Sequence, residues 1–145
     1  MPRVETSVTI HAPIDKVFDT IVDQELTTQW SSGVSEVTNI KGDPWEKGSS
    51  ADVVYHVLGM KLIQHMVTSE IEKPRKVTYL MEGGLPGTLE FVLEPQGQVT
   101  KVDMRIDYSV PGGILGKIAN RVLLERMNQK NIESTTEGLK IFCEA

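Results

Sequence analysis

Side chains alternate at the start of the chain: Val4, Thr6, Val8 and Ile10 fall on one side, and Glu5, Ser7 and Thr9 on the other. A period of two predicts a half-buried strand. Ala12-Pro13 ends it, and proline suits the first position of a helix. Ile14, Val17, Phe18, Ile21 and Val22 then share one helical face, with Asp15 in the first turn, where the helix dipole favours negative charge. A second short helical piece is predicted through Glu25 to Trp30. From Val34 onward, alternating segments are divided by turn signals. These are Gly42-Asp43-Pro44 with Gly48, then Gly59, Lys73-Pro74-Arg75, Gly83-Gly84-Leu85-Pro86-Gly87 and Glu94-Pro95-Gln96-Gly97. They leave six strands, near 34–41, 49–58, 60–72, 76–82, 87–94 and 99–110, and the short connections predict an antiparallel meander.

The last strand shows its faces most plainly. Val102, Met104, Ile106, Tyr108 and Val110 point one way, and Lys101, Asp103, Arg105 and Asp107 the other. The strand before it repeats the pattern, with Leu89, Phe91 and Leu93 against Glu90 and Glu94. One face of the sheet is therefore apolar and the other wet. After Pro111-Gly112-Gly113 comes a stretch of about 30 residues without proline, enough at about 1.5 Å per residue for a helix of some 45 Å. Ile114, Leu115, Ile118, Ala119, Val122 and Leu123 are close to helical spacing, and Met127, Ile132, Leu139, Ile141 and Phe142 follow. Gly138 weakens the pattern locally, by roughly 1 kcal/mol relative to alanine. A one-sided apolar sheet needs a cover, and this helix is the only element long enough. The fold class is α+β: a strand, two helices, six strands and one long helix. The sheet curves around the helix without closing tightly, which leaves room for an interior cavity.

Composition narrows the partners. The 145 residues fit one domain over 1–145, with length enough to bury a core without disulfides or a structural metal. The net charge of −5 argues against a nucleic-acid partner, because phosphate binding needs clustered Lys and Arg. A single cysteine, Cys143, cannot form an internal disulfide and reads as packing. The opening residues carry no apolar signal core, and no apolar run reaches the roughly 20 residues of a membrane span, so a cytoplasmic protein without stable membrane insertion is expected. His11, His56 and His65 lack metal-ligand spacing, so no metal and no other cofactor is expected. The Gly112-to-Lys117 stretch fails as a phosphate loop, because its glycine spacing is short and Ile118 stands where Ser or Thr belongs.

Several segments together resemble the START/SRPBCC superfamily. Val8-Thr9-Ile10-His11-Ala12-Pro13-Ile14-Asp15-Lys16-Val17-Phe18-Asp19 is similar to its opening, a strand ending in a small residue and proline and then a helix with a hydrophobic-aromatic pair. Trp30 falls where such proteins often carry a tryptophan, Gly48 precedes a strand as theirs does, and Gly138-Leu139-Lys140 with Glu144 resembles the end of their long helix. The nearest branch is the polyketide cyclase/dehydrase and lipid-transport-like group. The resemblance implies the helix-grip fold and an apolar ligand cavity. It implies no particular reaction, since members include carriers, receptors and cyclases; function has to come from the site.

Counting by twos, the expected cavity lining is Tyr55, Ile63, His65, Val67, Tyr79, Met81, Phe91, Met104, Ile106 and Tyr108, with Leu115, Ile118, Ala119 and Val122 from the long helix. Each is equally at home as plain core. His65, between Ile63 and Val67, is a candidate for acid–base work near neutral pH, the plainer reading being a core histidine bonded to a neighbour, and Tyr55, Tyr79 and Tyr108 each offer a polar tip that could do the same. Strand parity gathers the Gly59 turn, the Gly83–Gly87 loop and the Pro111–Gly113 connection at one end, as a mouth. Three functions follow. The first is binding or carrying a hydrophobic small molecule such as a lipid, polyketide or isoprenoid. The second is a cyclase/dehydrase-type enzyme using the same cavity. The third is a membrane-surface lipid exchanger in transient contact through Lys117, Arg121 and Arg126. A monomer or weak dimer is expected.

Overall fold

Strand β1 (Arg3–Ile10) keeps the alternation read from its sequence, but its partner is the last strand of the chain, β7 (Val99–Tyr108). The two pair antiparallel from Arg3 opposite Asp107 to Ile10 opposite Thr100. Between them run β2 (Val34–Lys41), β3 (Ser50–Val57), β4 (Met60–Glu72), β5 (Lys76–Gly83) and β6 (Gly87–Gln96), each paired with its neighbour, in the order β1-β7-β6-β5-β4-β3-β2. The result is the seven-stranded curved antiparallel sheet and long C-terminal helix of the helix-grip fold. The computed structural model describes residues 2–118 and 120–145.

The tight hairpins follow from turn chemistry. Leu58-Gly59 joins β3 to β4 with both residues at positive φ, 49° and 76°. Such a turn matches the twist of the flanking strands and normally carries Asn-Gly. Leucine there costs of the order of 1 kcal/mol, which is offset because Leu58 packs against the core. At the opposite end β6 runs through Pro95 to Gln96, two residues beyond the predicted stop, and Gly97-Gln98 makes a two-residue turn into β7.

The sheet order gives the molecule two unlike ends. At one end lie the start of β1, the Ser31–Gly33 loop into β2, and the turns at Leu58-Gly59, Gly84–Pro86 and Ser109–Pro111. Backbone hydrogen bonds tie these together: His56 N–H donates to the Gly33 carbonyl, Ser109 N–H to Pro86 and Tyr108 N–H to Pro2. At the other end helix α1 (Ile14–Val22) presses Val17, Phe18, Ile21 and Val22 onto Ile10, Val77, Leu93 and Val102, all of them at most 2% exposed. Burial of the Phe18 side chain alone is worth roughly 1.5–3 kcal/mol. The second helical piece divides into a 3₁₀ turn over Gln24–Leu26 and a single helical turn, α2 (Thr27–Trp30).

The long helix differs from its expected form. A short α3 (Gly112–Leu115) ends at Gly116, and α4 (Arg121–Glu144) starts afresh. Glycines at 112, 113 and 116 make a continuous helix expensive. Asn120 then caps α4, its side-chain oxygen accepting from the N–H groups of Val122 and Leu123. The 24 residues of α4 span about 36 Å instead of the expected 45 Å. Leu124, Ile132, Leu139 and Cys143 face the sheet, and so do Asn128, Thr135 and Thr136.

The far end of α4 is pinned by a carboxylate. Glu144 Oε2 accepts from the His11 backbone N–H at 2.8 Å and from Lys140 Nζ at 2.6 Å. These bonds, the His11 amide first, hold the Glu144 carboxyl below its ordinary value of 4.5. Between its folded and unfolded values the unfolded chain binds more protons, so stability rises with pH there. The contribution is complete above about pH 4.5 and is lost as pH falls through the lowered value. Glu144→Gln is therefore expected to flatten the acid limb of a stability–pH curve below pH 4.5, measured by urea denaturation at stepped pH.

Candidate functional site

One cavity lies between the sheet and the first half of α4, at the end where the Ser31–Gly33, Gly84–Pro86 and Ser109–Pro111 connections meet. Its empty volume is about 670 Å³, counted out to solvent at its mouth, so the enclosed part is smaller. The walls come from all seven strands: Val4, Val34, Val53, Tyr55, Gln64, Met66, Met81, Leu89, Met104, Ile106 and Tyr108. Leu85 from the β5–β6 loop closes one side, and Asn128, Asn131, Ile132 and Thr135 form the helical wall. Ser31 and Ser32 add a polar rim.

Five of the expected lining residues face this space: Tyr55, Met81, Met104, Ile106 and Tyr108. Tyr79 and Phe91 are buried lower, in the packed half. Phe91 meets the edge of Trp30 with ring centroids 6.2 Å apart and planes at 75°. Tyr79 borders a narrow crevice with Gln24, Pro44 and Thr68.

Ile63, His65 and Val67 are on the opposite face. A bulge in β4 shifts the pairing with β5 between Thr68 and Glu70. It reverses the parity of the strand. Ile71, beyond the bulge, packs inward, and counting back from it by twos lands on Val67, His65 and Ile63. Before the bulge the inward residues are instead Leu62, Gln64, Met66 and Thr68. Ile63 is accordingly 61% exposed. His65 Nδ1 lies 2.7 Å from Asp52 Oδ1 on the outer surface, with the imidazole facing away from the cavity. It does not line the cavity.

The expected helical contributions also change. The break before Asn120 rotates Leu115 and Val122 out to solvent, at 42% and 54% exposure. Ile118 packs against the core but does not line the cavity. Ala119 lies outside the described residues.

The polar groups on the helical wall were not anticipated, although their spacing shows them. Asn128, Asn131 and Thr135 recur at three and four residues, in phase with Leu124, Ile132 and Leu139. Tyr55 organises them. Asn131 Nδ2 donates to Tyr55 Oη at 2.8 Å, and Tyr55 in turn donates to Asn128 Oδ1 at 2.7 Å. In this chain the Asn128 oxygen accepts the Tyr55 proton. Its NH₂ group is then turned away from Tyr55, and the buried Nδ2 makes no hydrogen bond. Tyr108 Oη is likewise buried without a partner. Asn128 is near enough to counteract part of the rise that burial imposes on the Tyr108 phenol, yet the two side chains do not bond. Burial also pushes the Tyr55 phenol up, against the opposing pull of Asn131. A buried polar group left unpaired costs roughly 1–3 kcal/mol.

Gln64 is a further internal polar group. Its Oε1 accepts from the Leu85 N–H at 2.6 Å, and its Nε2 lies 3.5 Å from Met81 Sδ. It thereby fixes the loop that carries Leu85. Among the described residues no group of three His, Cys, Asp or Glu side chains is arranged to hold a metal ion. No described helix is long and apolar enough to cross a membrane.

Residues 1–141 match the family described as polyketide cyclase / dehydrase and lipid transport, and the chain belongs to that family. Solved structures agree with the fold. TTHA0849 from Thermus thermophilus is 22% identical, with a TM-score of 0.82 over 97% of this chain and 95% of that one. The Zhui aromatase/cyclase from a Streptomyces species is 17% identical, with a TM-score of 0.81 over 98% and 93%. A START superfamily protein from Mycobacterium smegmatis is 12% identical, with a TM-score of 0.75 over 99% and 98%. No curated protein matches the chain.

Proposed function

We propose that this protein binds and carries a hydrophobic small molecule in the cavity between the sheet and α4. The observation that carries this reading is the make-up of the lining. Most of the wall is aliphatic or methionine, and a few polar groups converge on it, from Tyr55, Tyr108, Gln64 and the inner face of α4, with Ser31 and Ser32 at the rim. Apolar walls with a few convergent polar groups suit a largely apolar ligand held in one orientation. Methionines at 66, 81 and 104 let the walls adapt to its shape.

The cyclase/dehydrase reading has less support from the site. Among the described lining residues the ionisable side chains are tyrosines, and burial raises both phenols away from neutral pH. Proton transfer works best from a group whose pKa is near the working pH. Membrane-surface exchange has one observation in its favour: Leu115, Val122 and Leu123 are exposed beside Lys117 and Arg121, at the mouth end. Apolar side chains rimmed by bases suit transient contact with an anionic bilayer during ligand delivery.

Native mass spectrometry of protein purified from its own source tests the carrier reading. A non-covalent organic adduct of low polarity is expected. Recovery of the bare chain alone, under conditions that preserve such complexes, would count against it.

A further inference from the structure

Resting on the carrier reading, we infer that the ligand carries a neutral carbonyl oxygen, and that Asn128 Nδ2 and Tyr108 Oη are its anchor. Both side chains line the cavity, and both are at least nine-tenths buried, with 6% and 2% of their surface exposed. Each presents hydrogen to donate and has no acceptor within the protein. The orientation of the Asn128 amide is not free. Asn131 donates to Tyr55, Tyr55 donates to Asn128 Oδ1, and the NH₂ is what remains.

Two neighbouring donors without an acceptor call for an oxygen that can accept twice. A carbonyl does so along its two lone pairs and brings no proton that needs placing. A carboxylate fits less well, because the described lining contains no Lys, Arg or His to neutralise it, and an unpaired buried charge is costly. The apolar remainder of the molecule would lie along Leu89, Met104 and Ile106. Tyr55 and Asn131 also line the cavity, and toward the carbonyl they act as positioning residues, by setting the direction of the Asn128 amide.

The test uses the full chain and two compounds of nearly equal shape, 2-acetylnaphthalene and 2-isopropenylnaphthalene, which differ in C=O against C=CH₂. Affinities are measured by fluorescence titration. Wild type is expected to prefer the ketone by about tenfold, the worth of one or two hydrogen bonds that only the ketone can make. Tyr108→Phe leaves the Asn131–Tyr55–Asn128 chain intact and should reduce the preference several-fold. Asn128→Leu combined with Tyr108→Phe should abolish it while retaining binding of the hydrocarbon. Asn131→Leu, which frees the Asn128 amide to turn over, should lower the ratio of ketone to hydrocarbon affinity.

Equal affinity of wild type for the two compounds would overturn the anchor while leaving the carrier reading standing; Asn128 and Tyr108 would then satisfy each other. A preference that survives in the double variant would overturn it as well. Failure of both compounds to bind would overturn the carrier reading and the anchor together.

Discussion

Gly138→Ala is expected to destabilise the protein by about 2 kcal/mol, although alanine is the better helix former. Two effects of opposite sign compete at this position. Removing a glycine from a helix interior gains roughly 1 kcal/mol. Against this, Gly138 is where α4 crosses the end of α2, and a Cβ there would be driven into the Trp30 backbone carbonyl. The obstacle is main chain, so no rotamer change relieves it. α2 would have to move away from the helix, and Trp30 would be displaced from Phe91. Overpacking of this kind costs about 1–3 kcal/mol and more where backbone must shift. The expected net loss corresponds to a fall in Tm of roughly 4–8 °C for a chain of this size. Circular-dichroism melts of Gly138→Ala should show that fall, while Glu137→Ala, on the exposed side of the same turn, should stay close to wild type. A rise in Tm for Gly138→Ala would mean that helix propensity governs the site and that the contact with Trp30 is slack.

The second large effect concerns binding. Ile106 stands on β7 opposite Leu89 of β6, and both face the cavity. Ile106→Trp would extend an indole into space that the ligand needs, without forcing it into packed core. Filling that volume should weaken 2-acetylnaphthalene binding by at least tenfold, as pockets discriminate strongly on volume. Tm should stay within a few degrees, because the added atoms find room. The same substitution on the packed side, Val102→Trp, should unfold the protein, since Val102 is fully buried among α1 and β6 side chains. Thermal melts and fluorescence titration of the two variants separate a cavity from a core.

That contrast also shows how far the sequence could be read. The order of elements followed from period and turn chemistry, and all seven strands lie within two residues of the expected bounds. The fold was legible because the strands are rich in alternating apolar residues and each turn between them carries glycine or proline. The site was legible only where the alternation is unbroken. β7 has no bulge, so Met104, Ile106 and Tyr108 face the cavity as expected. β4 offers apolar residues at both parities, and the bulge near Ser69 decides between them. The decision depends on pairing with β5, which no pattern within β4 records. Hence His65, the most chemically suggestive residue in the chain, points outward to Asp52. The long helix failed in a different way. Its apolar residues from Ile114 onward read as one phase, but the glycines and the Asn120 cap break it, and Leu115 and Val122 turn to solvent. Asn128 and Asn131 were missed because polar residues at core positions look like interruptions of an apolar stripe. Only the structure shows that Tyr55 meets them from across the cavity.

An apolar molecule is expected to enter between the sheet and α4. The most direct test is an amide-resolved NMR titration of the full chain with 2-acetylnaphthalene. Saturable shifts are expected on Val53, Gln64, Leu85, Leu89, Ile106, Asn128 and Asn131, with His65, Leu80 and Val92 on the outer face unmoved. Shifts confined to that outer face, or no saturable shifts at all, would contradict it.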